Sequence, residues 1–164
     1  MTSSPTPTER HPWQVIAAGI CALVLTVGLA RFAYTPLLPL MRVDAGLGAA
    51  EGGWLATSNY LGYLLGTLLV ARVGDMRQKF HMYRVGLLLA VAATALMGVT
   101  PHLGLWSVLR FLAGLSSTAG LLLASGLVLN WLLAHQRRPR LGLHFAGLGL
   151  GIAVSGLATA VMAG

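Results

Sequence analysis

Five apolar stretches, at about 13–40, 50–71, 82–100, 105–134 and 141–162, constrain the fold of this chain more than any other feature. A bilayer core of about 30 Å needs roughly 20 apolar residues per crossing helix, and each stretch supplies them. Of the 164 residues 56% are hydrophobic and only 9% are charged. A soluble domain carries about a quarter charged residues. A soluble bundle would also need polar helix faces, which these stretches lack. The reading is therefore an all-α, polytopic membrane protein with five transmembrane helices over 13–164. Residues 1–12, MTSSPTPTERHP, read as a disordered cytoplasmic tail. A cleaved signal peptide is disfavoured, because the run after Arg10 is too long for one and leads straight into further spans.

The net charge of +7 follows the loops. Arg10 precedes span one. Arg72, Arg77, Lys79 and Arg84 lie between spans two and three, and Arg137, Arg138 and Arg140 between four and five. The other side carries Arg42 alone, so eight basic residues face one. By the positive-inside rule the N-terminus is cytoplasmic, Gly164 lies outside, and the chain sits in the cytoplasmic (inner) membrane. This distribution accounts for the charge without a nucleic-acid partner. The single cysteine, Cys21, excludes an intrachain disulfide. No nucleophile–base pair or metal-ligand set appears in the spans, so neither an enzyme nor a cofactor is expected.

Span one opens at Pro12-Trp13, a proline suited to the first turn beside an interfacial tryptophan. Arg31 follows sixteen uncharged residues, Val15 to Ala30. It lies about 27 Å along the helix from Trp13. Pro36 and Pro39 then mark where the helix bends or ends. Span two carries Ser58, Asn59, Tyr60 and Tyr63. Asn59 and Tyr63 share a face at i, i+4, flanked by Tyr60. Either that face looks into a polar cavity, or its groups hydrogen-bond a neighbouring helix. Gly62 and Gly66 form a G-x-x-x-G that permits close helix approach.

Span three reads as a lipid-facing support, and His102 in the following turn as a solvated loop residue. Span four places Arg110 one turn in from Trp106, followed by Gly114 and a run of small residues. The basic run His135 to Arg140 reads as a solvated orientation signal. Span five repeats the close-packing spacing at Gly147 and Gly151. Its glycines do not make a phosphate loop, since no strand precedes them and no lysine follows. His144 either carries protons or hydrogen-bonds a neighbour, the second reading being favoured.

Span one runs outward with its arginine late, and span four runs inward with its arginine early. Arg31 and Arg110 should therefore fall at one depth, in the outer half. A charge at the hydrocarbon centre costs about 2.5–3.5 kcal/mol on insertion scales. Either both side chains snorkel to the outer headgroups, or they face an internal cavity. No acid lies within the spans, since Glu9, Asp44, Glu51 and Asp75 are at borders or loops. Inward-facing arginines would need counter-charge from a substrate or from other protein. A planar guanidinium suits carboxylate, phosphate or sulfate.

The loop from Ala71 to Lys79, ARVGDMRQK, resembles the 2–3 loop signature of the major facilitator superfamily, roughly G-x-L-A-D-R-x-G-R. Asp75 and Lys79 match it, Arg77 lies between them, and Ala71 and Gln78 replace its glycines. Arg110 with Gly114 resembles the superfamily's span-four motif, R-x-x-x-G. Span five is similar to the glycine-rich motif of antiporter members, without its proline. RFAYTPLLPLM, SNYLGYLLG and LHFAGLGLGI resemble the YbfB/YjiJ-type branch, a likeness that runs from about Trp13 to the end.

The resemblance implies a six-helix half made of two inverted three-helix repeats. Helices one and four would line the cavity and carry Arg31 and Arg110 to its wall, and Asp75 would help lock one conformation. Five spans make an incomplete N-terminal half, and alternating access needs two bundles. The implied function is the N-terminal portion of a secondary transporter for a small organic, anionic or neutral, solute, moved with or without a proton. It is not expected to transport alone, and its missing partner is the C-terminal half. Arg31, Tyr34, Asn59, Tyr60, Tyr63 and Arg110 are the candidates for substrate contact or coupling. Asp75, Arg77 and Lys79 form the conformational loop motif. The alternative is a small membrane scaffold that assembles through its glycine faces.

Overall fold

The computed structural model describes residues 11–99, 101–138 and 141–163, which form five long helical rods. They are α1 (Pro12–Asp44), α2 (Ala49–Arg72), α3 (Met76–Leu96), α4 (Leu103–Ala134) and α5 (Leu141–Ala163). The tail assigned to residues 1–12 lies outside the described residues up to Arg10. His11 and Pro12 already belong to the start of α1, where His11 is the N-cap and Pro12 opens the first turn. The starts of α2, α3 and α4 are capped by polar side chains. Glu51 Oε2 accepts from the Gly48 N–H at 2.7 Å, Asp75 accepts from Gln78 N–H at 3.1 Å, and His102 Nδ1 accepts from Leu105 N–H at 3.2 Å. Each cap satisfies an N–H that the first helical turn leaves without a partner. His102 is thus an exposed loop residue, as expected, that also caps α4. Because Asp75 caps it, α3 starts six residues before the expected Met82, and Arg77, Lys79 and Arg84 lie on the helix.

The prolines do not end α1. The rod loosens earlier, into a π-helical register over Val24–Phe32, and resumes as α-helix at Tyr34–Asp44. Pro36 falls in the first turn of that second segment, where its missing N–H leaves nothing unsatisfied. Pro39 lies inside the segment, and the carbonyl it cannot bond belongs to exposed Thr35. A second π-helical segment, Ala119–Ala124, interrupts α4. Neither register change is visible in the periodicity of the sequence.

The rods pack through small residues. α2 lies along α4 with Gly62 and Gly114 set reciprocally: a methyl at Gly62 would overlap the Phe111 carbonyl, and one at Gly114 the Asn59 carbonyl. Gly66 meets Thr118 and Leu115 on the same line. α5 packs along α1, with Gly151 against Gly28 in the π-helical part and Gly147 against Ile20 just before it. Close backbone approach of this kind is how helices associate where hydrocarbon surrounds them on all sides. Ala30, Ala90, Ala93, Leu109 and Ala113 form the buried cluster between α1, α3 and α4. Large apolar side chains point outward instead, among them Leu64, Leu68, Leu88, Val91, Leu157 and Val161. An apolar exterior over a small-residue interior is the arrangement a bilayer selects.

Three rods, α1, α4 and α5, are long and apolar enough to cross a membrane by length and hydropathy. α2, with 24 residues, and α3, with 21, have the length. Their hydropathy is lowered by Ser58, Asn59 and Tyr60 in α2 and by the basic first turns of α3. Among the described residues the architecture is all-helical, as expected for a polytopic bundle.

Candidate functional site

The π-helical segment of α1 ends at Phe32 beside the first turns of α4, and the two arginines meet there. Arg110 is 4% exposed. Its Nη1 donates to the Ala30 carbonyl and its Nη2 to the Arg31 carbonyl, each at 3.1 Å. The guanidinium lies over the ring of Tyr34, 4.3 Å from its centroid. Those carbonyls lie in the π-helical segment, and a forked cation supplies them two donors at once. Snorkelling is therefore not what Arg110 does. It is a clamp that joins α4 to the loosened turn of α1.

The groups around the clamp are also bound to backbone. The Tyr34 hydroxyl donates to the Gly52 carbonyl at 2.8 Å and ties α1 to α2. Asn59 is 2% exposed, and its Nδ2 donates to the Arg110 carbonyl at 2.9 Å, tying α2 to α4. Of the two readings of the Asn59 face, this side chain follows the second and bonds a neighbouring helix.

Arg31 is placed differently. Its guanidinium is half-buried and packed on aromatic rings, 4.2 Å from the centroid of Tyr63, 5.3 Å from Tyr60 and 5.5 Å from Phe32. Its Nε is buried without a hydrogen-bond partner. No carboxylate or carbonyl of the described residues accepts from this guanidinium. Tyr60, 58% exposed, forms the open side of the patch. A cation on aromatic faces is held by their quadrupoles while its N–H edges stay free to take an anion in bidentate fashion.

The structure thus brings Arg31, Tyr60 and Tyr63 into one patch and Arg110, Tyr34 and Asn59 into an adjoining clamp. The bond from Arg110 to the Arg31 carbonyl sets the two arginines at one level. Asp75, Arg77 and Lys79 stand apart, at the start of α3. Phe32, a wall of the Arg31 patch, was not singled out from sequence, although its place next to Arg31 was a signal. The buried pair of Ser125 Oγ and His144 Nε2, 2.9 Å apart, was not anticipated either. His144 bonds a neighbour, the reading favoured for it.

Residues 23–164 match the family described as "Uncharacterised MFS-type transporter YbfB". Over 96 residues the chain is 26% identical to a protein named "Uncharacterized MFS-type transporter YceJ" from Bacillus subtilis (strain 168), covering 58% of this chain and 25% of that one. Over 143 residues it is 29% identical to the niacin transporter NiaP of Acinetobacter baylyi, covering 87% of this chain and 32% of that one. The chain therefore spans a quarter to a third of the length of these relatives. No solved structure matches it. With the family match running from the first half of α1 to the end of α5, the chain belongs to the YbfB-type family of major facilitator transporters.

Proposed function

We propose that the chain is the N-terminal portion of a secondary transporter for a small organic anion, with Arg31 as the anion contact. One observation carries this reading: the Arg31 guanidinium rests on Tyr63 and Tyr60, and no acceptor among the described residues takes its N–H groups. A solute with a carboxylate would take those N–H groups, and a flat ring on the same solute would stack on the exposed face of Tyr60. Niacin, the solute in the name of the Acinetobacter relative, joins an aromatic ring to a carboxylate. In this reading an aromatic monocarboxylate is the solute class, and Arg110, Tyr34 and Asn59 hold the walls in place. A second helical bundle is the partner that closes over the patch, and a proton is the coupling ion. The membrane is the cytoplasmic one, with the basic loops on the cytoplasmic side.

Equilibrium binding to the chain in nanodiscs tests the anion contact without requiring transport. Nicotinate should bind at least tenfold more tightly than nicotinamide. Arg31→Gln should remove that preference, because a charged hydrogen-bonded contact contributes about 1.5–3 kcal/mol. Equal binding of acid and amide, or an Arg31→Gln chain that still prefers the acid, would remove Arg31 from the site.

A further inference from the structure

Where the start of α1 meets the end of α4 lies a cavity of about 410 Å³ lined by His11, Trp13, Ile16, Leu132, Arg137 and Arg138. Its floor is hydrocarbon: Ile16 is 3% exposed and Leu132 1%. Its rim is cationic, formed by the two exposed arginines. The backbone builds that rim. Gln136 takes a left-handed conformation, φ 52°, and the Arg137 N–H returns to the Leu132 carbonyl at 2.8 Å. The chain is thereby turned back on itself, so that Arg137 and Arg138 line the same cavity as Trp13. Neither arginine forms an ion pair among the described residues. Residues 135–138 of the basic run are exposed, as a solvated orientation signal would be, and Arg137 and Arg138 also line the cavity.

We propose that this cavity binds the headgroup of an anionic phospholipid, with the phosphodiester between Arg137 and Arg138 and the head of an acyl chain over Ile16 and Leu132. Three features select a lipid over a soluble anion. The site lies at the ends of two rods that meet the length and hydropathy for membrane crossing, at the level of headgroups. A cationic rim above an apolar floor matches an amphiphile, whereas inorganic phosphate would leave the floor bare. Trp13, 52% exposed at the first turn of α1, has the amphipathic ring that settles at the membrane–water boundary. Basic pockets between helices on the basic side are a recurrent place for anionic headgroups. The site is separate from the Arg31 patch, so its test is independent of the transport reading.

The test is native mass spectrometry of the chain released from neutral detergent with phosphatidylglycerol or phosphatidylcholine, combined with lipid titration. One phosphatidylglycerol should be retained preferentially. Affinity should fall about fivefold for each arginine lost, or about 25-fold in the Arg137→Gln/Arg138→Gln chain. Arg72→Gln/Arg84→Gln, which removes two cations from the same side but outside the cavity, should keep the bound lipid. Circular dichroism reports whether each chain folds, and Arg137→Lys/Arg138→Lys, which keeps the charge, should retain most of the binding. Equal losses in the two Gln pairs would overturn the proposal in favour of diffuse surface charge. Displacement of the lipid by millimolar inorganic phosphate would overturn it in favour of a free-anion site.

Discussion

Two arginines of the same type, side by side, have opposite circumstances. Arg110 spends both terminal nitrogens on the carbonyls of Ala30 and Arg31, while Arg31 offers its edges to nothing in the described protein. Substitution should separate them. Arg110→Leu removes two charged donors from the Ala30 and Arg31 carbonyls, about 1.5–3 kcal/mol each, and should destabilise the chain by several kcal/mol in detergent-unfolding titrations. Tyr34→Phe loses one neutral bond to the Gly52 carbonyl and should cost about 1 kcal/mol. Arg31→Gln should cost less than Arg110→Leu, at most about 1.5–3 kcal/mol, since its three cation–π contacts contribute about 0.5–1 kcal/mol each. If Arg31→Gln proves as destabilising as Arg110→Leu, both side chains are structural. The sequence alone placed the arginines at one level, because helix direction and residue position suffice for that. It left the choice between clamp and contact open, because that depends on which carbonyls a register change in another helix has freed.

At the scale of elements, the glycines divide by what they face. Gly62, Gly114, Gly147 and Gly151 each face a backbone, whereas Gly149 and Gly156 face open space. Gly114→Leu drives a side chain into the Asn59 carbonyl and should lower stability by at least the ~1–3 kcal/mol typical of overpacking. Gly149→Leu should change stability by less than about 0.5 kcal/mol, the range of an ordinary surface substitution. Unfolding titrations of the two chains in the same detergent give the comparison, and equal effects would contradict the packing described. The five rods were readable from apolar run length, and the G-x-x-x-G pairs from spacing, because both are local in sequence. The π-helical segments were not. Val24–Phe32 meets Gly151 at Gly28, and Ala119–Ala124 meets Thr26 at Gly120, so both register changes lie at contacts between residues far apart in the chain. Pro36 and Pro39 pointed to a break in α1, yet the loosening precedes them: Pro36 lies in a first turn, and Pro39 forgoes a bond only to the carbonyl of exposed Thr35.

For the whole molecule, loop charge and hydropathy give different strengths of evidence for the path through the membrane. Hydropathy selects α1, α4 and α5 but not α2. The charge bias requires α2 to cross, since Arg42 stands before it and the basic cluster beginning at Arg72 after it. The packing sides with the charges. Asn59 is satisfied by the Arg110 carbonyl, and Ser58 Oγ donates to the Trp54 carbonyl at 3.0 Å, so two of the three groups that lower the hydropathy of α2 need not meet lipid unpaired. A helix whose polar groups are bonded within the bundle can cross at a mean hydropathy that would exclude it alone. Cys21 is the single cysteine, so labelling in a Cys21→Ser background can test this directly. Asp44→Cys and Gln78→Cys place exposed thiols just beyond opposite ends of α2. In intact cells a membrane-impermeant maleimide should label Asp44→Cys at once and Gln78→Cys only after lysis. Labelling of both before lysis would mean that α2 does not cross, and the reverse order would invert the whole chain.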